Sequence, residues 1–293
     1  MGTRRRRAAA LAAILTLGML LPVAAVAQPG AARPPGNPGA APLTFALIGD
    51  TPYGPEQRAR FPALLADINR DPTVRMVLHA GDIKSGSERC DDALFADRRA
   101  LYDGFRDPFV LTPGDNEWTD CHRSAAGNYL PTERLERVRQ VFYPQPGRTI
   151  GARPMPVRTQ GSDPEHAAYV ENVAFTAGRV VFATVHVVGS RNDLEPWSQL
   201  PGGDRLAERS AEFQAREAAA LSWIDDAFDT ATRDRAGGVL LMLQAEPVDG
   251  EPGLRGSGTG SSAAPQNSAA PYCSYTATST CSRRNAATRV CRT

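Results

Sequence analysis

Lysine is almost absent from this 293-residue chain: Lys84 stands alone among basic residues that are otherwise arginine. Histidine is scarce, with four residues, and cysteine, with five, allows at most two bridges. After the N-terminus no stretch approaches the roughly 18 to 20 apolar residues that a membrane span needs, so no span is expected in a mature chain. Beyond the N-terminal arginines no basic face is evident, and with it the footprint of a nucleic-acid-binding surface is missing. No Gly-x-Ser-x-Gly elbow follows a strand-like run, which leaves a covalent serine hydrolase little support. Asp50-Thr51-Pro52 lacks the second aspartate of an aspartyl-phosphate phosphatase. Gly256-Ser257-Gly258-Thr259-Gly260 has no strand before it and reads as linker, not as a phosphate-binding loop.

Residues 1–27 have the form of a secretory signal: Arg4 to Arg7, then an apolar stretch from Ala8 to Leu21, then Ala25-Val26-Ala27 as a small-residue cleavage site. The expected location is therefore periplasmic or secreted. Removing those arginines leaves the remainder slightly acidic. Residues 28–42, rich in proline, glycine and alanine, read as a flexible leader.

What is present is a thrice-repeated pattern. Phe45-Ala46-Leu47-Ile48-Gly49-Asp50, Met76-Val77-Leu78-His79-Ala80-Gly81-Asp82 and Phe109-Val110-Leu111-Thr112-Pro113-Gly114-Asp115 each stop an apolar run at Gly-Asp. The aspartates lie 32 and 33 residues apart, the length of a strand and helix returning to a parallel strand. Between them, Phe61, Leu64, Leu65 and Ile68 recur at helical spacing, as do Leu94, Leu101 and Phe105, and then Leu135, Val138 and Phe142. A βαβαβα order of this kind makes a mainly parallel sheet. Ligands bind beyond the carboxyl ends of such strands, and three carboxylates gathered there repel unless something cationic joins them.

Residues 144–164 read as a long surface excursion. Two strand-like runs, Ala168 to Phe175 and Arg179 to Val188, read as a hairpin, Leu206 to Phe228 as the longest helix, and Val239 to Leu243 as a last buried strand before Gln244. The domain is expected over residues 43–250, with 251–293 a low-complexity, disordered tail. From Leu254 onward the only large apolar residues are Leu254, Tyr272, Tyr275 and Val290, too few to offset the ordering entropy. A genuine disulfide-prone tail and an out-of-frame end that replaced the true C-terminal strands both remain open, the second preferred. Cys90 and Cys121 follow two of the aspartate motifs and would sit above one sheet edge; they form a bridge in an oxidising compartment, or stay as two surface thiols.

These motifs resemble the calcineurin-like metallophosphoesterase superfamily, with Gly49-Asp50-Thr51-Pro52, Ala80-Gly81-Asp82 and Gly114-Asp115-Asn116-Glu117 in its first three motif places. Asp82-Ile83-Lys84-Ser85-Gly86, the run from Pro113 to His122, and Val188-Gly189-Ser190-Arg191-Asn192 resemble an exported bacterial branch of it. The resemblance implies a four-layer α/β sandwich of two mixed sheets flanked by helices, here with its C-terminal strands missing. It implies a phosphate-ester substrate and two divalent metal ions, with Asp50 on one, Asp82 bridging and Asp115 on the other. Oxygen-rich ligation favours Mn, Fe or Mg over Zn.

The departures are as informative. Pro52 stands where the family has a ligand His, and Asn116 where it has the His that protonates the leaving group; an amide cannot act as a general acid. Gln244 stands where a later ligand His is expected and offers only an amide oxygen. No Gly-His-x-His follows. Asn116 and His122 are thus the candidate catalytic residues, His122 being the best substitute ligand or acid. Lys84 and Arg123 are the candidates for phosphate oxygens. His79 and His186 read as core residues and His166 as solvated.

Overall fold

A computed structural model describes residues 43–245 in full, together with the backbone of Tyr272–Tyr275, Arg283–Asn285 and Thr288–Arg292. The expected signal, the leader and most of the expected tail lie outside the described residues.

The repeated apolar runs become β1 (Thr44–Ile48), β2 (Val74–His79) and β3 (Phe109–Leu111), joined by α1 (Gly54–Arg70) and α2 (Asp92–Asp103) and followed by α3 (Pro131–Phe142). β1 pairs with β2 and β2 with β3, all parallel. The second sheet is built from β4 (Arg158–Thr159), β5 (Val173–Ala177), β6 (Val180–Thr184) and β7 (Gly238–Met242). There β4, β5 and β6 run antiparallel, and β6 and β7 parallel. The Leu206–Arg233 helix lies between β6 and β7 in the chain. That helix runs five residues beyond its expected end, because Thr230 and Ala231 are also buried, and the excursion at 144–164 contributes the short edge strand β4.

Strand alternation sorts the side chains into layers. Met76, Leu78 and Phe45 meet Phe182, Leu240 and Met242 between the sheets, with Phe45 and Phe182 edge to face at 5.6 Å. Val77, Ala46 and Ile48 face the other way, onto Phe61, Phe95, Tyr102, Val138 and Phe142 from α1 to α3. Val181, Ala183, Val239 and Leu241 pack on Trp223, Ile224, Ala227 and Phe228 of the long helix. Helices, sheet, sheet and helix make the four layers that the family resemblance implied.

Both sheets are extended by backbone from the C-terminal segment. β10 (Thr288–Arg292) pairs antiparallel with β1, β9 (Arg283–Asn285) with β10, and β8 (Tyr272–Tyr275) parallel with β7. The expected tail thus lends backbone to both sheets. Pairing of this kind is a main-chain interaction that satisfies an exposed sheet edge, so it needs far less apolar sequence than a new core would.

Cys90 and Cys121 form a disulfide spanning 31 residues. Of the two readings left open, the bridge is the one the structure has. Both sulfurs lie 3.7 Å from the Asn116 carbonyl oxygen, so the bridge ties the loop after β2 to the loop after β3. Closing a loop of this size contributes about 3 to 4 kcal/mol. The double variant Cys90→Ser with Cys121→Ser is expected to lose about that much in denaturant unfolding, and the wild type to lose it on reduction.

Candidate active site

Because β1, β2 and β3 are parallel, Asp50, Asp82 and Asp115 emerge at one sheet edge. Asp50 and Asp82 take left-handed backbone angles, φ 54° and 58°, which short polar side chains tolerate. The turns are pressed together. The Asp50 N–H donates to the Gly81 carbonyl at 3.2 Å, and a Cβ on Gly114 would overlap the Asp82 carboxylate. Gly114→Ala is therefore expected to displace Asp82 and lower both stability and any turnover, read by thermal unfolding and an activity assay.

Two donors stand between the carboxylates. The Tyr53 hydroxyl lies 2.9 Å from Asp50 Oδ1 and 3.1 Å from Asp82 Oδ2. Gln244 Nε2 lies 3.3 Å from the same Asp82 Oδ2 and 3.1 Å from Asp115 Oδ1. The Asn116 N–H donates to Asp82 Oδ1 at 3.3 Å, and Asn116 Nδ2 to the Tyr53 oxygen at 3.3 Å. Ser190 Oγ lies 3.0 Å from Asp115 Oδ2 and 2.6 Å from Asp120 Oδ1.

The electrostatics are dominated by surplus negative charge. Burial pushes the Asp82 carboxyl up to about 10, with Asp115, Glu117 and Asp50 adding to it. Burial raises Glu117 to about 7 and Asp120 to about 6. Asp50, on the open side and exposed, is also raised, by partial burial and by Asp115. Lys84 is fully buried and donates to the Ser85 carbonyl at 3.0 Å; burial lowers its pKa, while Glu117, Asp120, Glu88 and Asp82 hold it up. Arg123 is the partly exposed cation at the edge, paired with Asp120 at 2.6 Å.

The loops are braced from behind. Arg98 donates to the carbonyls of Ile83 at 2.8 Å and Pro52 at 3.1 Å, and Glu88 Oε2 accepts the N–H groups of Gly54 and Ser85, each at 2.9 Å. Glu117 accepts the Gly114 N–H at 2.6 Å. Ser190, Arg191, Asn192 and Asp193 form a left-handed turn, φ 50° to 69°, beside Asp115. Strain of this kind persists only where its surroundings over-determine it. Here the buried Arg216 donates to Asn192 Oδ1, to the Asn192 carbonyl at 3.0 Å and to the His186 carbonyl at 3.3 Å.

With this geometry in place, the match of the calcineurin-like phosphoesterase family to residues 43–233, well over half the chain, is decisive. The chain belongs to the calcineurin-like phosphoesterases. No curated protein matches it.

Among the expected site residues of this phosphoesterase, Asp50, Asp82, Asp115, Asn116 and Gln244 come together through the contacts above, and Arg123 stands beside them. Lys84 lies fully beneath the surface, among carboxylates. His122 is buried in the Thr119–His122 turn, where Arg123, Asp204 and Arg209 act on its ring and burial lowers its pKa. His79, pushed down to about 4 by burial, faces the Thr51 carbonyl at 3.0 Å, and His186 pairs with Glu171 at 2.8 Å. Both are core residues. The sequence reading missed Tyr53, three residues beyond Asp50 in Asp-Thr-Pro-Tyr, and Asp120, five beyond Asp115.

Divalent metals are general in this family. Among the described residues no three carboxylate, imidazole or thiolate groups gather closely enough to hold an ion by themselves. An ion therefore needs a neutral oxygen as well. The Tyr53 hydroxyl, hydrogen-bonded to Asp50 and Asp82, stands between them on the exposed side. The charge carried by the Asp82 cluster gives that ion its electrostatic reason.

Proposed function

We propose that this chain is an exported, metal-dependent phosphoesterase that hydrolyses phosphate esters at the Asp50, Asp82 and Asp115 edge. The observation that carries the reading is the position of Asp82: it is buried and flanked by two further carboxylates, each separated from it by a single hydrogen-bond donor. The signal-like N-terminus and the Cys90 to Cys121 bridge support export to an oxidising compartment. Mn, Fe or Mg fit an all-oxygen donor set better than Zn.

A bound divalent ion supplies Lewis acidity at a phosphoryl oxygen and activation of the attacking water. The chain's own groups do the rest. Arg123, on the rim, is placed to donate to a phosphoryl oxygen. Asn116 Nδ2 can donate to the leaving oxygen and orient it, but it carries no proton to transfer. A general acid contributes typically about 10²- to 10⁴-fold, so rates are expected to depend steeply on the leaving group. Aryl phosphates should turn over at least about 100-fold faster than alkyl phosphates of similar size.

The test is Mn²⁺-dependent hydrolysis of an aryl phosphate and an aryl phosphodiester by the purified chain. Turnover that chelator removes and Mn²⁺ restores supports the reading. A second reading, a phosphoesterase-like scaffold without catalysis, is favoured by Asn116 at the acid position and by the nitrogen of Gln244, not its oxygen, facing Asp82. A folded chain that binds Mn²⁺ and turns over neither substrate decides for that scaffold.

A further inference from the structure

Arg123, the partly exposed cation at the edge, is engaged on three sides. Its Nη1 pairs with the Asp120 carboxylate at 2.6 Å, and its Nη2 lies 3.4 Å from Ser190 Oγ and 3.7 Å from Glu195 Oε2. The guanidinium also faces the loop after β2: a Cβ on Gly86 would stand 3.4 Å from Nη1 and 3.0 Å from Asn116 Oδ1. Asn116 in turn reaches Tyr53, and Ser190 reaches Asp115, so Arg123 is joined to the carboxylate edge from both directions. The Glu195 side chain is 46% exposed, against 3% for Asp120, so Glu195 is the carboxylate that an anion entering at Arg123 meets. Its backbone is anchored on both sides. The Glu195 N–H donates to the Ser190 carbonyl at 3.3 Å, and two residues on Trp197 is buried, its Nε1 donating to Asp193 Oδ1 at 2.8 Å.

We infer that Glu195 sets the charge of the phosphoryl group accepted at Arg123, so that this phosphoesterase takes phosphodiesters, which carry one negative charge, in preference to phosphomonoesters, which carry nearly two. The inference rests on the proposed function for its reaction and goes beyond it in naming the substrate class. A site selects by what it repels as well as by what it attracts, and repulsion from a fixed carboxylate grows with the charge of the anion. The cations that could offset it are already committed: Lys84 is fully buried and bonded to the Ser85 carbonyl. With Nη1 held by Asp120 and Nη2 shared by Ser190 and Glu195, the Arg123 fork is not open for the two-oxygen grip that suits a terminal phosphate. It can offer an N–H to one oxygen, which is what a diester needs.

The test is calorimetric binding of two non-hydrolysable anions to the purified chain at about pH 8: phenylphosphonate, close to doubly charged there, and its singly charged monomethyl ester. Wild type is expected to bind the methyl ester at least about 3-fold more tightly. Glu195→Gln is expected to raise affinity for the methyl ester about 3-fold and for phenylphosphonate about 10-fold, because the lost repulsion counts once for one charge and twice for two. Equal gains would make Glu195 a steric block and not a charge selector. Equal gains, no gain for phenylphosphonate, or a chain that binds neither anion each overturn the inference. Turnover supplies the second reading. Wild-type kcat/KM should favour an aryl phosphodiester over an aryl phosphate, and Glu195→Gln should move that ratio toward the monoester by about 3-fold or more, chiefly through KM. A wild type that prefers the monoester, or an unmoved ratio in folded Glu195→Gln, overturns the inference while the phosphoesterase reading stands. The expected binding shift without turnover of either substrate supports charge selection at Arg123 while the functional reading fails.

Discussion

Asp82→Asn is expected to abolish metal-dependent turnover while making the metal-free protein more stable. The loss should be on the order of 10³-fold or more in kcat/KM, equivalent to about 4 kcal/mol, because Asp82 shares a hydrogen-bond donor with each of the other two carboxylates. The stability gain follows from linkage. Burial and the neighbouring Asp115, Glu117 and Asp50 carry the folded pKa of Asp82 to about 10, far above the unfolded value of about 4. A raised folded pKa means that the folded chain holds the proton more tightly. The stability this supplies is fully present below about pH 4 and is lost as pH rises toward 10. Chelator-treated wild type should therefore unfold more easily at pH 9 than at pH 5. In Asp82→Asn that slope should flatten, and the melting temperature at pH 8 should rise. Undiminished turnover, or a variant less stable at pH 8, would count against Asp82 as the central anionic ligand.

Arg216→Leu is expected to cost about 3 to 5 kcal/mol of stability, about 10 °C in melting temperature for a domain of this size, and to remove activity well below the melting point. Arg216 is fully buried on the long helix, paired with Glu212 at 2.8 Å and set over the Trp118 ring at 5.1 Å. Its guanidinium secures the left-handed turn that delivers Ser190 to Asp115 and Asp120. Replacing it leaves the Glu212 carboxylate without that partner and releases a turn whose backbone is costly to hold. Arg216→Lys keeps the charge but cannot reproduce the fork of bonds to Asn192 and His186. It should recover part of the stability and little of the activity. Full activity in folded Arg216→Leu would show that the turn does not depend on this anchor.

The parts of the site that were legible in the sequence are those set by short-range periodicity. Each of the three strands reads as an apolar run ending in Gly-Asp, and the spacing of 32 and 33 residues already places Asp50, Asp82 and Asp115 at one edge. The Cys90 and Cys121 pairing was open as one of two readings for the same reason, since both follow those strands. What stayed hidden depends on contacts across the fold. Tyr53 looks like an ordinary turn residue until β1 pairs with β2 and brings Asp82 within reach. Lys84, suggestive beside Asp82, becomes a buried counter-charge once the loops close over it. His122, adjacent in the chain to Arg123, sits where Asp204 and Arg209 act on it.

The sequence by itself determined the βαβαβα order of the first half and the shared carboxylate edge, because periodicity and connection length act locally. Tertiary structure alone decided which atoms meet there. The orientation of Gln244 is set by the Gly189 N–H, 55 residues earlier in the chain, and the strained turn by Arg216, 24 residues beyond Asn192. The C-terminal strands fall in the same class, because a segment poor in apolar residues carries no periodic signal and gains its order from the main-chain edges of β1 and β7.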